Sequence, residues 1–556
     1  MKKIYLASAL LTLTSLLNAQ ELNWAYNFGN TNGNAGGNSI DSDNLGNTYT
    51  IGFFGGQVDF NPSTTTDLNL GTGTVNSTFI LKSNSIGETV WAGQFVSNVA
   101  GGNTGIDLVL DNNSRIISTG TFRGITDFDP GTGTENIDAL TTGSNRTYIS
   151  ILNNNGTYVW AGALLGSGVS PKGIDVDANG NIFLTGNFDG TVDFDPGAGV
   201  FELTSATTTS GNDAFFVLKL SSSGNFLWAK SVDGDVEATD LAADENGDVW
   251  VSGIYEGTID FDPGTGVNSK TSQGDTDFFT LKLGGVNGNA SFLSALGGYN
   301  ADKAYGITIH NNTVYTMGTV YEGVVASGQF DLDPSANSNY ISGFPSLATP
   351  LGFIQALDLS GNYINGIALT GDAKSPKKLA VSGNNEMYVT GSSGYRLFER
   401  KIESNGTIIW DHSILANAIN LYNEGRGVTV SASNVVFTGT FYRSGDFDPA
   451  TATNEILTCT AYAPHAYVQS IIDNTAGLDA IKLKNISLYP NPSSGIYYLK
   501  SEIPVELIEV YSTNGNKILS IDSIAKQIDL TNAPSGIYYI KVVAKDSSET
   551  TIKVIK

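Results

Sequence analysis

"GIDVDANGNIFLTGNF" occupies residues 173–188, followed by "AFFVLKL" (214–220) and "FLWAKSV" (226–232). Read together they form four extended segments rich in β-branched and aromatic residues, which suit a pleated, half-buried surface. The turn "ANGN" (178–181) joins the first two segments, and "SSSGN" (221–225) joins the last two. Asn-Gly and Ser-Gly contacts are hairpin chemistry, because glycine takes positive φ without a side-chain clash. Four antiparallel strands of this kind, if repeated, make a propeller blade.

The unit is repeated. Trp24, Trp91, Trp160 and Trp228 stand 67, 69 and 68 residues apart. The series continues in weaker form at "FLSALGG" (292–298) and "YINGIAL" (363–369), and returns at Trp410 in "IIWDHSI". Counting gives seven of each strand. The chain starts with a fourth-strand sequence, "WAYNFG" (24–29), that has no blade before it, and the last repeat stops after its third strand, "AYVQSII" (466–472). Placing the first strand outside the last blade hides two raw edges. The expected fold class is therefore all-β: a seven-bladed β-propeller over residues 20–473, closed by the N-terminal strand. "GIDVDANGNIFLTG" resembles the core of SBBP-type bacterial propeller repeats, which implies the same fold and leaves activity open. Copy six, "YVTGSSGYRLFERKI" (388–402), departs from the pattern, and copy five carries an enlarged loop (335–350).

After a linker at 474–485, residues 486–556 hold short alternating strands and an Asn-Gly hairpin, which predict a small Ig-like β-sandwich. "YPNP" (Tyr489, Pro490, Asn491, Pro492), "VYSTNGNKI" with Gly515, and "PSGIYYIKVV" with Gly536, Ile537 and Tyr538 occur in order at the end of the chain. This stretch resembles the type A C-terminal sorting domain of the type IX secretion system. The resemblance implies cargo of a Bacteroidetes-type bacterium, with the secretion machinery as partner and the outer cell surface or the medium as destination.

The other end agrees. Lys2 and Lys3, an apolar stretch from Ile4 to Leu17, and Ala19 before Gln20 predict a secretory signal peptide over residues 1–19, cut between Ala19 and Gln20. It is too short for a membrane anchor, and nothing else in the sequence suggests a transmembrane segment. Cys459 is the only cysteine, so packing rather than an internal disulfide must hold the fold. Removing Lys2 and Lys3 takes the formal net charge from −25 to −27, and residues 474–556 carry nine Lys against eight Asp or Glu. Residues 20–473 therefore hold about −28, a surface that repels nucleic acid and favours cations or basic partners, or simply keeps an exported protein soluble.

The clearest chemical motif is an acidic loop: "DFDPG" at 127–131, 193–197 and 260–264, "DFDP" at 446–449, and looser forms at 59 and 331. As corners these make sense, since Asp caps backbone N–H groups, Phe packs, Pro fixes φ and Gly turns. Carboxylates at i and i+2 could instead hold calcium, the only cofactor considered. The candidate ligands are Asp127, Asp129, Asp193, Asp195, Asp260, Asp262, Asp446 and Asp448. A second candidate set lies in the first hairpin turns, "DVDANGN" (175–181) and "DENGD" (244–248); the former starts like a calcium loop but lacks the glutamate at the twelfth position, and a hairpin turn explains it more simply. His310, His412 and His465 fall in different copies without metal-ligand spacing, and Cys459 has no evident partner base. "SNSIGETVW" (83–91) is only loosely similar to the Asp box of sialidases, whose aspartate is missing. The spacing Gly-x-x-x-Trp (Gly87/Trp91, Gly156/Trp160, Gly224/Trp228, Gly406/Trp410) is similar to the Trp motif of quinone propellers, where it serves packing. No catalytic residue is assigned.

The expected function is a monomeric, non-enzymatic binding or adhesion protein, exported to the cell surface or beyond and taking an extracellular glycan or protein ligand. The alternatives are a polysaccharide-active hydrolase or lyase, with residues 327–350 the place to look, and a structural spacer in a surface assembly.

Overall fold

In the computed structural model every regular element among the described residues is a β-strand. The described residues are 21–29, 34–63, 66–71, 76–99, 102–140, 145–166, 168–205, 214–321, 329–344, 349–371, 375–414, 423–431, 434–449, 454–459, 463–472, 486–489, 495–501, 505–512, 517–522, 527–534, 536–544 and 549–556. Ala19, Gln20, the linker 474–485, Pro490, Asn491, Pro492 and Gly515 lie outside them.

Up to Ile472 the described strands form six antiparallel sheets of four strands and one of six, numbered by the position of their first strands, with five two-stranded sheets beside them. Sheet 3 is typical: Ser170–Val176, Ile182–Asn187, Ala214–Leu220 and Phe226–Asp233 pair in sequence. The first strands of sheets 1, 2 and 4 to 7 are Ala35–Ser42, Thr104–Leu110, Val236–Ala243, Lys303–His310, Ser375–Val381 and Glu424–Ser431. Each first strand contacts the first strand of the next sheet, and that of sheet 7 contacts that of sheet 1. Sheet 7 takes its fourth strand from the start of the chain. Glu21–Phe28 pairs antiparallel with His465–Ile472, setting Ala25 opposite Gln469 and Tyr26 opposite Val468.

Glycine explains two recurring motifs. Within each unit the second strand carries a "TG" or equivalent, and a Cβ at Gly186 would sit 2.3 Å from the Ser170 carbonyl oxygen. The bulged first strand, whose register shifts between Pro171 and Gly173, runs too close for a side chain there. The turn between strands three and four supplies the second. A Cβ at Gly224 in sheet 3 would lie 2.5 Å from the ring of Trp160 in sheet 2, so this indole docks on the following sheet's turn. Gly87 takes Trp24 and Gly288 takes Trp228 in the same way.

The described strands after residue 485 form a four-stranded and a three-stranded sheet around Tyr497, Val510, Ile528, Ile540 and Val554. Tyr489 pairs with Tyr498, Gly536 exchanges backbone hydrogen bonds with Lys556, and the buried Tyr538 donates its hydroxyl to the Pro534 carbonyl.

Candidate functional site at the axial cavity

The acidic loops form small hairpins just past the second strands, beside the starts of the first strands, because antiparallel pairing brings those ends together. Thr191–Asp193 pairs with Glu202–Thr204, and Thr258–Asp260 pairs with Ser269–Thr271. Their carboxylates bond within their own hairpins. Asp193 Oδ1 accepts the N–H of Asp195 (3.0 Å) and of Phe201 (2.8 Å), and Asp195 Oδ1 accepts that of Gly197 (2.8 Å). Asp127 with Asp129, and Asp260 with Asp262, repeat the pattern. Asp446 Oδ1 accepts the N–H of Asp448 at 3.1 Å and of Glu455 at 3.0 Å. Among the described residues no three His, Cys, Asp or Glu cluster in a metal-holding arrangement.

The central Phe of each hairpin is buried. Phe194 packs on Phe188 and Phe216, and Phe128 reaches across to Phe95 of the preceding sheet at 5.0 Å. Replacing Phe194 with Ala should therefore cost about 3–5 kcal/mol in chemical denaturation. An Asp193→Asn change, which keeps an acceptor oxygen, should cost under about 1.5 kcal/mol.

The calcium-like turn is also occupied by protein. Asp177 Oδ1 accepts the N–H of Asn179 and Asn181, both at 2.9 Å, while Oδ2 lies 3.4 Å from the Lys219 ammonium. A lysine from the third strand thus stands beside the turn carboxylate.

All seven first strands line one axial cavity. Its inner part, about 270 Å³, contains Asp41, Asp107, Asp175 and Lys378. Each carboxylate there is bonded on both oxygens. One oxygen takes the next N–H of its own strand; the other takes an N–H of the following sheet. Leu110 N–H donates to Asp41 (2.9 Å), Ile174 N–H to Asp107 (3.1 Å), Ala243 N–H to Asp175 (2.9 Å) and Ile307 N–H to Asp240 (3.3 Å). Four successive sheet junctions are clipped in this way. Lys378 reaches across from sheet 6 and holds Asp240 at 2.8 Å.

Burial sets the electrostatics. It raises the carboxyls of Asp41 and Asp240, and pushes that of Asp175 up to about 7. Although burial opposes its charge, Asp240 and then Asp107 hold Lys378 above the usual lysine range. Outside the cavity, burial also pushes Asp277 up to about 6 and Asp302 to about 7. A carboxyl whose folded pKa is raised holds more protons folded than unfolded. Between pH 4 and 7 the stability contribution of these groups therefore falls as pH rises. Thermal unfolding should peak near pH 5 and drop by about 3–6 °C by pH 8, with Asp302→Asn flattening the slope.

The cavity opens on the hairpin side into a mouth of about 320 Å³ lined by Asn38, Lys172, Tyr305, Lys377, Glu424 and Arg426. Arg426 donates to Glu424 (2.9 Å) and to Asn38 (2.7 Å), and Lys377 lies 3.3 Å from Glu424 and over the Tyr305 ring. Against the pull of burial, Lys377 and Arg426 hold the Glu424 carboxyl below its usual range.

Of the axial set (Asp41, Asp107, Asp175, Asp240, Lys378) only Asp175 falls in a stretch weighed from sequence, the "DVDANGN" turn. The set's signal is an aspartate two or four residues before the turn aspartate in copies one to four: "SIDSD", "GIDLVLD", "GIDVD", "TDLAAD". In the divergent sheet 6, Glu399, Arg400 and Lys401 are all buried. Arg400 bonds the Thr370 carbonyl (2.7 Å) and Asp411 (2.5 Å), Lys401 pairs with Glu386 (2.9 Å), and Glu399 lies 3.6 Å from His412 Nδ1.

Residues 487–556 match the secretion system C-terminal sorting domain. That match supports a secreted or cell-surface protein that engages the secretion machinery through this domain. Among solved structures the chain is similar to a streptogramin B lyase (11% identity, TM-score 0.40, covering 80% of this chain and 97% of that one). It is also similar to a virginiamycin B lyase from Staphylococcus aureus (9%, 0.39, 80% and 98%). A phage phi92 endosialidase aligns at 9% identity and TM-score 0.35, over 96% of this chain and 87% of that one. No curated protein sequence matches the chain. No helix among the described residues is long and apolar enough to cross a membrane.

Proposed function

We propose that the chain is an exported β-propeller of seven blades, closed by its first strand and followed by an Ig-like sorting domain, that binds an extracellular glycan or protein without transforming it. Export rests on the sorting-domain match to residues 487–556. The binding reading is supported by one observation above all: both oxygens of each axial aspartate are bonded, and the hairpin aspartates are bonded within their loops. Carboxylates tied to N–H groups on both oxygens hold a scaffold together and are poorly placed to move protons for a reaction. The lined mouth beside the hairpins is then the place for a ligand.

A glycan array run beside a polysaccharide-degradation screen tests this. Retention without product supports a binder; new reducing ends or unsaturated products would establish a hydrolase or lyase. Deleting residues 486–556 should retain the protein in the periplasm, and undiminished surface display would refute the export reading. Calcium at the hairpins is the subsidiary proposal, with carboxylate oxygens of Asp127, Asp193, Asp260 and Asp446 as the hard ligands such a cation would take. A melting temperature unchanged by chelator and by millimolar Ca²⁺ would overturn it. A rise of several degrees in millimolar Ca²⁺ would establish the metal.

A further inference from the structure

We infer that the axial mouth binds the end of an acidic saccharide, a sugar ring bearing one carboxylate; this rests on the glycan-binding reading above. Charge is the first reason. Across a chain of formal net charge −25, the mouth lining gathers Lys172, Lys377, Lys378 and Arg426 against Asp107, Asp240 and Glu424, with Asp41 and Asp175 deeper in the cavity. Within the mouth itself, four cations less three carboxylates leave one positive charge unmatched, which suits a monoanion better than a doubly charged phosphate.

Lys172 carries that excess. Lys377 and Arg426 share Glu424, and Lys378 holds Asp240. Lys172 is half-buried in the mouth and has no ion pair or side-chain hydrogen bond among the described residues. A partly buried lysine in a cavity, without an acceptor for its ammonium, invites one. Below it, burial raises the Asp41 and Asp175 carboxyls, which weakens their repulsion of an incoming anion.

The remaining lining can meet sugar hydroxyls only on its spare capacity. Glu424 and Thr239 keep acceptor lone pairs beside their bonds to Lys377, Arg426 and Ser252, the Asn38 amide keeps one N–H beside its bond to the Gly105 carbonyl, and Tyr305 stands in the wall with Lys377 over its ring. The volume, about 320 Å³, holds roughly one pyranose ring with its substituents. Seven first strands converge around the mouth, a setting that a chain terminus enters more readily than the middle of a polymer.

The test is calorimetric titration of the secreted full chain with trigalacturonate, its methyl ester and a neutral maltotriose. Trigalacturonate should bind, its ester at least 10-fold more weakly, and raising NaCl from 150 to 500 mM should weaken the acid alone. Lys172→Gln should weaken trigalacturonate at least 5-fold at an unchanged melting temperature. Lys270→Gln, on an exposed hairpin strand, should leave it unaltered. No binding of trigalacturonate, or binding indifferent to esterification and to Lys172→Gln, overturns the inference. If neutral glycans are retained on the array while trigalacturonate is not, the acid site falls and the binder stands. If no glycan binds in either assay, the glycan-binding reading falls with it.

Discussion

A chain lacking residues 21–28 is expected to lose its cooperative unfolding transition and to aggregate at micromolar concentration. That strand is the outer edge of sheet 7, and its side chains tie sheet 7 to sheet 1. Tyr26 and Phe28 are buried, and Trp24 stacks on Tyr26 with ring centroids 5.1 Å apart. The Tyr26 hydroxyl meets Ser83 at 2.6 Å, and the Trp24 indole donates to the Ser85 carbonyl at 3.2 Å while covering Gly87. Losing one buried aromatic costs about 3–5 kcal/mol, and three together approach the whole stability of an ordinary domain, about 5–15 kcal/mol. The deletion also bares His465–Ile472 as an unprotected strand edge. Size-exclusion chromatography and thermal melts would show the loss, and a circular permutant carrying residues 21–29 after Ile472 should restore it. A monomeric deletion variant that melts like the parent would refute this account of the sheet 7 junction.

The second large effect concerns Lys378. Changing it to Met should destabilise the chain by about 3–5 kcal/mol at pH 8, because Asp240 is left as a buried charge without its counter-ion. The loss should shrink toward pH 5. Without the ammonium the Asp240 carboxyl is raised further, so the folded variant takes up a proton that the unfolded chain does not, and stability rises as pH falls. Adding Asp240→Asn should recover much of the loss at pH 8. Chemical denaturation of both variants at pH 5 and pH 8 measures it; a Lys378→Met variant equally stable at both values would show that the pair carries no such load.

The repeat was legible because a pair of hairpins is a local object. "GIDVDANGNIFLTGNF" contains two strands and the turn that joins them, so its pattern of β-branched residues and its Asn-Gly contact are read within 16 residues. The unpaired first strand was legible by counting. The pairing of Tyr26 with Val468 then spans more than 400 residues with no local signal at all. The hairpin aspartates show the limit of motif reading. Their spacing fits both a metal clip and a cap, and only the positions of the Phe201 and Gly197 N–H groups show what their oxygens touch.

By itself, the order of residues determined the all-β class, the repeat of about 68 residues, the acidic hairpins and the sorting motif, because hairpins, turns and short motifs are settled by neighbours in the chain. Tertiary structure alone decided that Asp41, Asp107, Asp175, Asp240 and Lys378 share one cavity, with Lys172, Lys377 and Arg426 at its mouth. Each comes from a different repeat or strand position, tens to hundreds of residues from the next. They meet only where seven first strands converge, and there low polarity makes every buried charge depend on a partner from another sheet.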